Sequence, residues 1–147
     1  MQMADADARE FDLPADLAGL QTLSEGVERL AEARGWPSST AFAVQLCLEE
    51  AVSNVIRHGG LPAGERVRVD VRQADGAIVV EIADRGVAFD PLAAPPPPPL
   101  TDLESATIGG RGIGLMHKFC PDIGYRRSDG RNFLRFAFPL PPDRPGA

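Results

Sequence analysis

Between Asp16 and His58 the apolar residues recur at spacings of three and four, and beyond Arg66 they recur at two. A chain that changes period in this order buries both patterns by laying helices against a sheet. The first helical stripe is Leu17, Leu20, Leu23, Val27, Leu30 and Ala31, closed by Gly35 and the Trp36-Pro37 break. The second is Val44, Cys47, Leu48, Ala51, Val52 and Val55, with Ser38 or Ser39 as its cap and Gly59-Gly60 as its stop after His58. Ahead of them, Arg9–Pro14 alternates as an edge strand ended by proline. After them, Arg66–Arg72 and Ala77–Ala83 flank the turn Ala74-Asp75-Gly76, and Ile123–Arg127 and Asn132–Phe138 flank Ser128-Asp129-Gly130, which predicts two hairpins. Residues 85–110, with five consecutive prolines at 95–99, read as a long loop, Ile113–Phe119 as a short helix and Pro141–Ala147 as a loose tail. The pattern predicts one α+β domain over 1–147, with a core over about 9–140: a two-layer α/β sandwich whose mixed, largely antiparallel sheet carries its helices on one face.

Composition narrows the function. A 44% hydrophobic chain of 147 residues can bury a two-layer core unaided. A net charge of -6 argues against nucleic acid as a partner, since phosphate backbones are bound by Lys and Arg that displace counterions. Cys47 and Cys120, outside any CxxC or Cys/His cluster, read as core residues in a reduced, cytoplasmic compartment. The Phe133, Phe136 and Phe138 cluster reads as sheet core. Met1–Glu10 is polar and acidic, and no 18 apolar residues run together, so neither export nor a membrane partner is expected.

Three segments could carry chemistry. Glu50 and Asn54 lie four apart on the second helix, about 40° apart around its axis, at the border of the apolar stripe. A carboxylate one turn from a carboxamide can orient a hydroxyl and lend an oxygen to Mg²⁺, although the same pair also fits an ordinary solvated helix face. Asp84-Arg85-Gly86-Val87-Ala88-Phe89-Asp90 follows a strand. There a carboxylate can accept from an exocyclic amine and a glycine lets the backbone pass close to a ligand, or the segment is simply a turn. Gly109-Gly110-Arg111-Gly112-Ile113-Gly114-Leu115 runs into the short helix, where freed amides and a helix N-terminus can surround phosphate oxygens. It is neither a P-loop nor a GxGxxG fingerprint.

Taken together, in their order and spacing, these segments resemble the three boxes of the GHKL ATPase superfamily. Glu50–Gly59 is similar to the N-box, Asp84–Asp90 to the G1 box and Gly109–Leu115 to the G2 box. The Asn-x-x-x-His-Gly ending and the DRGVAFDP wording look most like the RsbW/SpoIIAB-type serine-protein kinases that double as anti-sigma factors. The resemblance implies the GHKL, or Bergerat, ATP-binding fold, with ATP and Mg²⁺ as cofactors. It implies Glu50 as the general base toward a substrate serine, Asn54 as the Mg²⁺ ligand, and Asp84 as reader of the adenine amine in a pocket shaped by Gly86, Ala88 and Phe89. Gly110, Gly112 and Gly114, with Ile113 and Leu115, would form the phosphate cradle, and residues 85–110 the ATP lid. Arg111 as a balance to phosphate charge is our own addition, and His58 fits a phosphate contact or a helix-terminal histidine held by the dipole. Ala88 departs from the family's second G1 glycine, and its methyl group could crowd the nucleotide or forbid a positive φ.

The resemblance further implies a partner switch. The kinase would phosphorylate a STAS-domain anti-sigma-factor antagonist and otherwise hold a sigma factor, working as a homodimer. Two other readings stand beside it: an ATP-binding module that sequesters a regulator without turnover, which Ala88 favours, and the detached ATPase domain of a histidine kinase.

Overall fold

A computed structural model describes residues 8–62, 64–74, 76–88, 90, 120 and 122–140. Strand β1 (Ala8–Pro14) leads into helices α1 (Leu17–Arg34) and α2 (Ser38–His58), then into strands β2 (Arg66–Ala74), β3 (Ala77–Asp84), β4 (Asp122–Ser128) and β5 (Arg131–Pro139). The strands form one sheet in the order β1-β2-β3-β5-β4, and every ladder is antiparallel. The sheet is thus wholly antiparallel among the described residues, where a mixed one was also allowed for. The α+β two-layer architecture stands as read.

Period-two alternation decides which sheet face is covered. Phe11 and Leu13, then Val67, Val69 and Val71, then Ile78, Val80 and Ile82, then Phe136 and Phe138 all point to one side and are buried. Leu23 and Val27 of α1, with Val44, Cys47, Leu48, Ala51 and Val52 of α2, close over them. A side chain such as Phe136, wholly buried, contributes about 2–3 kcal/mol through the apolar area it removes from water. The opposite face is polar and laced by exposed pairs, Arg66 with Asp12, Arg68 with Glu10, and Arg126 with Glu81. Each is worth no more than about 1 kcal/mol at such exposure.

Local chemistry fixes the element ends. The Asp16 carboxylate accepts from the Gly19 amide at 2.8 Å and caps α1, and Gly35 ends it in the left-handed region at φ 66°. Neither Ser38 nor Ser39 caps α2: Pro37 is its N-cap with no side-chain bond, and both serines already lie inside the helix. Proline at φ -57° presets the entry instead. The β2–β3 hairpin closes between Ala74 and Ala77, and the β4–β5 hairpin turns on Asp129 and Gly130, both at positive φ as a two-residue Asp-Gly turn requires. No helix among the described residues is long and apolar enough to cross a membrane. The expected helix 113–119, most of the lid 85–110 and the tail 141–147 lie outside the described residues.

Candidate active site

The end of α2 and the turn after β3 are joined backbone to backbone. Gly59 terminates the helix, its amide donating to the Val55 carbonyl oxygen at 2.9 Å, while its own carbonyl oxygen accepts from the Val87 amide at 2.8 Å. Gly86 lies directly on this junction. A Cβ there would stand 2.5 Å from the Gly59 oxygen and 2.9 Å from Asp84 Oδ1, so the position has no room for a side chain. The end of α2 and the turn after β3 are therefore one unit, with a crevice between them.

The crevice is lined by Ala51, Asn54, Val55 and Gly59 from α2 and its end, Ile82, Asp84 and Val87 from β3 and the turn, and Tyr125, Asn132 and Leu134 from the last hairpin. Its walls are mostly apolar, with polar groups at a few points, the composition that suits a flat heterocycle.

Asp84 is the acidic point. It is buried, and its Oδ1 accepts from the Gly86 amide at 2.8 Å and from Asn132 Nδ2 at 3.0 Å. Asn132 also donates to the Val87 carbonyl at 2.8 Å, and its own Oδ1 accepts from Tyr125 Oη and Arg127 Nη1. Arg127 Nη1 reaches the Gly86 carbonyl oxygen as well, at 2.8 Å. The other oxygen, Asp84 Oδ2, carries no hydrogen bond to a described residue.

Along α2 the structure brings only part of the expected set into the crevice. Asn54 lines it and is buried, but its Oδ1 accepts from Arg57 Nη2 at 3.3 Å. Glu50, one turn earlier, is half-buried and has no hydrogen-bond or ion-pair partner among the described residues, yet it is not among those that line the crevice. It lies close enough to Cys47 to help push that thiol up to about 12, behind the larger effects of burial and of Cys120. His58 is exposed in the last turn of α2 with Arg57, where a helix C-terminus favours cations. Ala88 is exposed, and Asp129 is the only non-glycine described residue at positive φ, so the methyl group at 88 meets no left-handed backbone. Phe89, Gly110, Arg111, Gly112, Ile113, Gly114 and Leu115 lie outside the described residues.

Sequence reasoning missed Asn132, Tyr125 and Arg127. The signal was present: Asn132 shares the inward face with Leu134, Phe136 and Phe138, and an amide at the head of an apolar row must find partners. The described residues hold no cluster of three or more His, Cys, Asp or Glu that could cage a metal. The donor set nevertheless fits a cation that keeps waters and phosphate oxygens, since the Asn54 carboxamide lies in the crevice wall as a neutral oxygen donor.

Comparison with known proteins bears on the family and the fold. The family described as histidine kinase-like ATPase domain matches residues 13–138. The serine/threonine-protein kinase BtrW of Bordetella bronchiseptica is 35% identical over 111 residues, covering 74% of this chain and 77% of that protein. The RsbU and RsbW domains of Rv1364c from Mycobacterium tuberculosis share the fold at a TM-score of 0.68 and 16% identity, over 93% of this chain and 34% of that one. This chain thus spans about a third of the length of that structure. The SiaB-SiaC complex from Pseudomonas aeruginosa follows at a TM-score of 0.54 and 19% identity, over 88% of both chains.

Proposed function

The chain belongs to the histidine kinase-like ATPase domain family, and on that premise we propose that it is an ATP-dependent protein serine kinase and anti-sigma factor of a partner-switching system. The observation that carries the reading is Asp84: a buried carboxylate with one oxygen committed and the other without a described partner, at the head of an apolar crevice walled by the N-box helix. Such an oxygen accepts from the exocyclic amine of adenine, with Ile82, Val87 and Leu134 against the ring. The kinase relative supports phosphotransfer as the activity, and 35% identity over three-quarters of the chain supports carrying it here.

The substrate would be a serine of a STAS-domain anti-sigma-factor antagonist, and the competing partner a sigma factor held by a homodimer of this chain. Its serine Oγ forms a bond to the γ-phosphorus as the bond to the ADP oxygen breaks, and the serine proton passes to Glu50, whose carboxylate has no described partner to compete for it. Mg²⁺, when bound through Asn54 and phosphate oxygens, supplies charge neutralisation on the triphosphate. Asp84 and the crevice walls orient the base, so most of the rate enhancement comes from positioning.

One observation favours a second reading, a regulator-binding module without turnover: Arg57 occupies the Asn54 oxygen that the metal needs. Labelled γ-phosphate decides between the two. Transfer to a purified STAS-domain antagonist that is lost in Glu50→Ala and kept in the open-face variant Arg135→Ala supports the kinase. Tight partner binding with no transfer from the wild-type chain supports the module.

A further inference from the structure

Asn132 heads β5 at an inward position and is only 6% exposed, and its neighbours leave its amide one orientation. Arg127 Nη1, which can only donate, stands 3.1 Å from Oδ1, and the Tyr125 hydroxyl donates to the same oxygen. On the other side, Nδ2 faces Asp84 Oδ1 at 3.0 Å and the Val87 carbonyl oxygen at 2.8 Å, which accept. Turning the amide over would set donor against donor at Arg127 and acceptor against two acceptors at Asp84 and Val87. The guanidinium thus fixes the amide, and the amide fixes the carboxylate.

We infer that Asn132, held by Arg127, is a positioning residue that sets base selectivity: it ties down Asp84 Oδ1 so that Oδ2 faces the crevice as a bare acceptor. An acceptor oxygen takes a purine with an amine at C6 and rejects one with a carbonyl there, because two desolvated acceptors would meet with no proton between them. This rests on the adenine-nucleotide reading above. Without the Asn132 donor, the Asp84 carboxylate keeps only the Gly86 amide on Oδ1 and is free to turn about its side-chain bond. A carboxylate that turns no longer holds its acceptor oxygen against the amine at C6, so discrimination falls together with affinity.

The test compares dissociation constants for ATP and inosine triphosphate, which carries a carbonyl at C6, in the full chain with Mg²⁺. The variants are Asn132→Leu, Arg127→Met and Arg127→Lys, with thermal unfolding to verify the fold. The wild type is expected to prefer ATP by about 100-fold, with the preference reduced at least about fivefold in Asn132→Leu and Arg127→Met and largely retained in Arg127→Lys, which still donates. A merely structural role lowers both affinities in parallel and leaves the ratio unchanged; that result overturns the inference. Should Asn132→Leu not fold, the two Arg127 variants carry the same comparison. A wild-type chain that binds neither nucleotide overturns the nucleotide reading and this inference together, whereas ATP binding with an unaltered ratio in the variants overturns the inference alone.

Discussion

The carbonyl oxygen of Gly59 accepts from the amide of Val87 at 2.8 Å, so the residue that ends α2 and the turn that follows Asp84 share one hydrogen bond. Gly86 makes that approach possible, and a methyl group there would press on the Gly59 oxygen and Cα, which are backbone and cannot swing away. Gly86→Ala is therefore expected to cost about 1–3 kcal/mol of stability through forced backbone displacement. A thermal unfolding curve shows the loss, and ATP titration shows weaker binding because Asp84 moves with the turn. An unchanged midpoint with unchanged affinity would mean that the two segments are not coupled in this way.

Arg57 donates to the Asn54 oxygen that we propose for the metal. The 3.3 Å bond to Asn54 Oδ1 comes from an exposed side chain, so releasing it costs little, about 0.5–1 kcal/mol. In Arg57→Ala the Mg²⁺-dependent part of the ATP affinity is expected to rise by about two- to fivefold. Calorimetric titration with and without Mg²⁺ measures it. A fall in affinity would instead place the guanidinium on the nucleotide.

Cys47 gives the fold a pH signature. Burial first, then Cys120 and Glu50, push its thiol from 9.0 up to about 12, so the folded state keeps a proton that the unfolded chain releases. The stability contributed by the neutral thiol is complete below about pH 9 and is lost as pH rises toward about 12. The urea midpoint should therefore drop less steeply over that window in Cys47→Ala than in the wild type, although the variant starts lower. At pH 8 the native thiol should resist alkylation until denaturant is added.

The sequence carried the scaffold further than the site. All seven elements begin and end within about two residues of their expected bounds, because Val67, Val69 and Val71 or Leu23 and Val27 answer to a period that local geometry enforces. The α2 cap was misassigned because a serine after proline looks like a cap, while the proline itself presets the entry. Asp84 and Gly86 were legible, since both belong to a contiguous word. Asn132 and Arg127 were not, because they reach Asp84 and Gly86 only once β5 pairs with β3, Asp84 opposite Asn132, across 48 positions of sequence. Ala88 looked like an obstacle from its residue type, and of the two reasons the positive φ falls away, because its backbone is not left-handed.

Equilibrium binding of Mg-ATP to the wild-type chain and to Asp84→Asn tests the central claim most directly. The substitution is isosteric and can keep the bonds from the Gly86 amide and Asn132 on its oxygen, but it puts an amide N–H in place of Oδ2. The account predicts saturable, Mg²⁺-dependent binding to the wild type and a loss of about 3 kcal/mol, roughly 100-fold, in the variant with the fold intact. Equal affinity in the two, or no binding by the wild type at millimolar ATP, would contradict it.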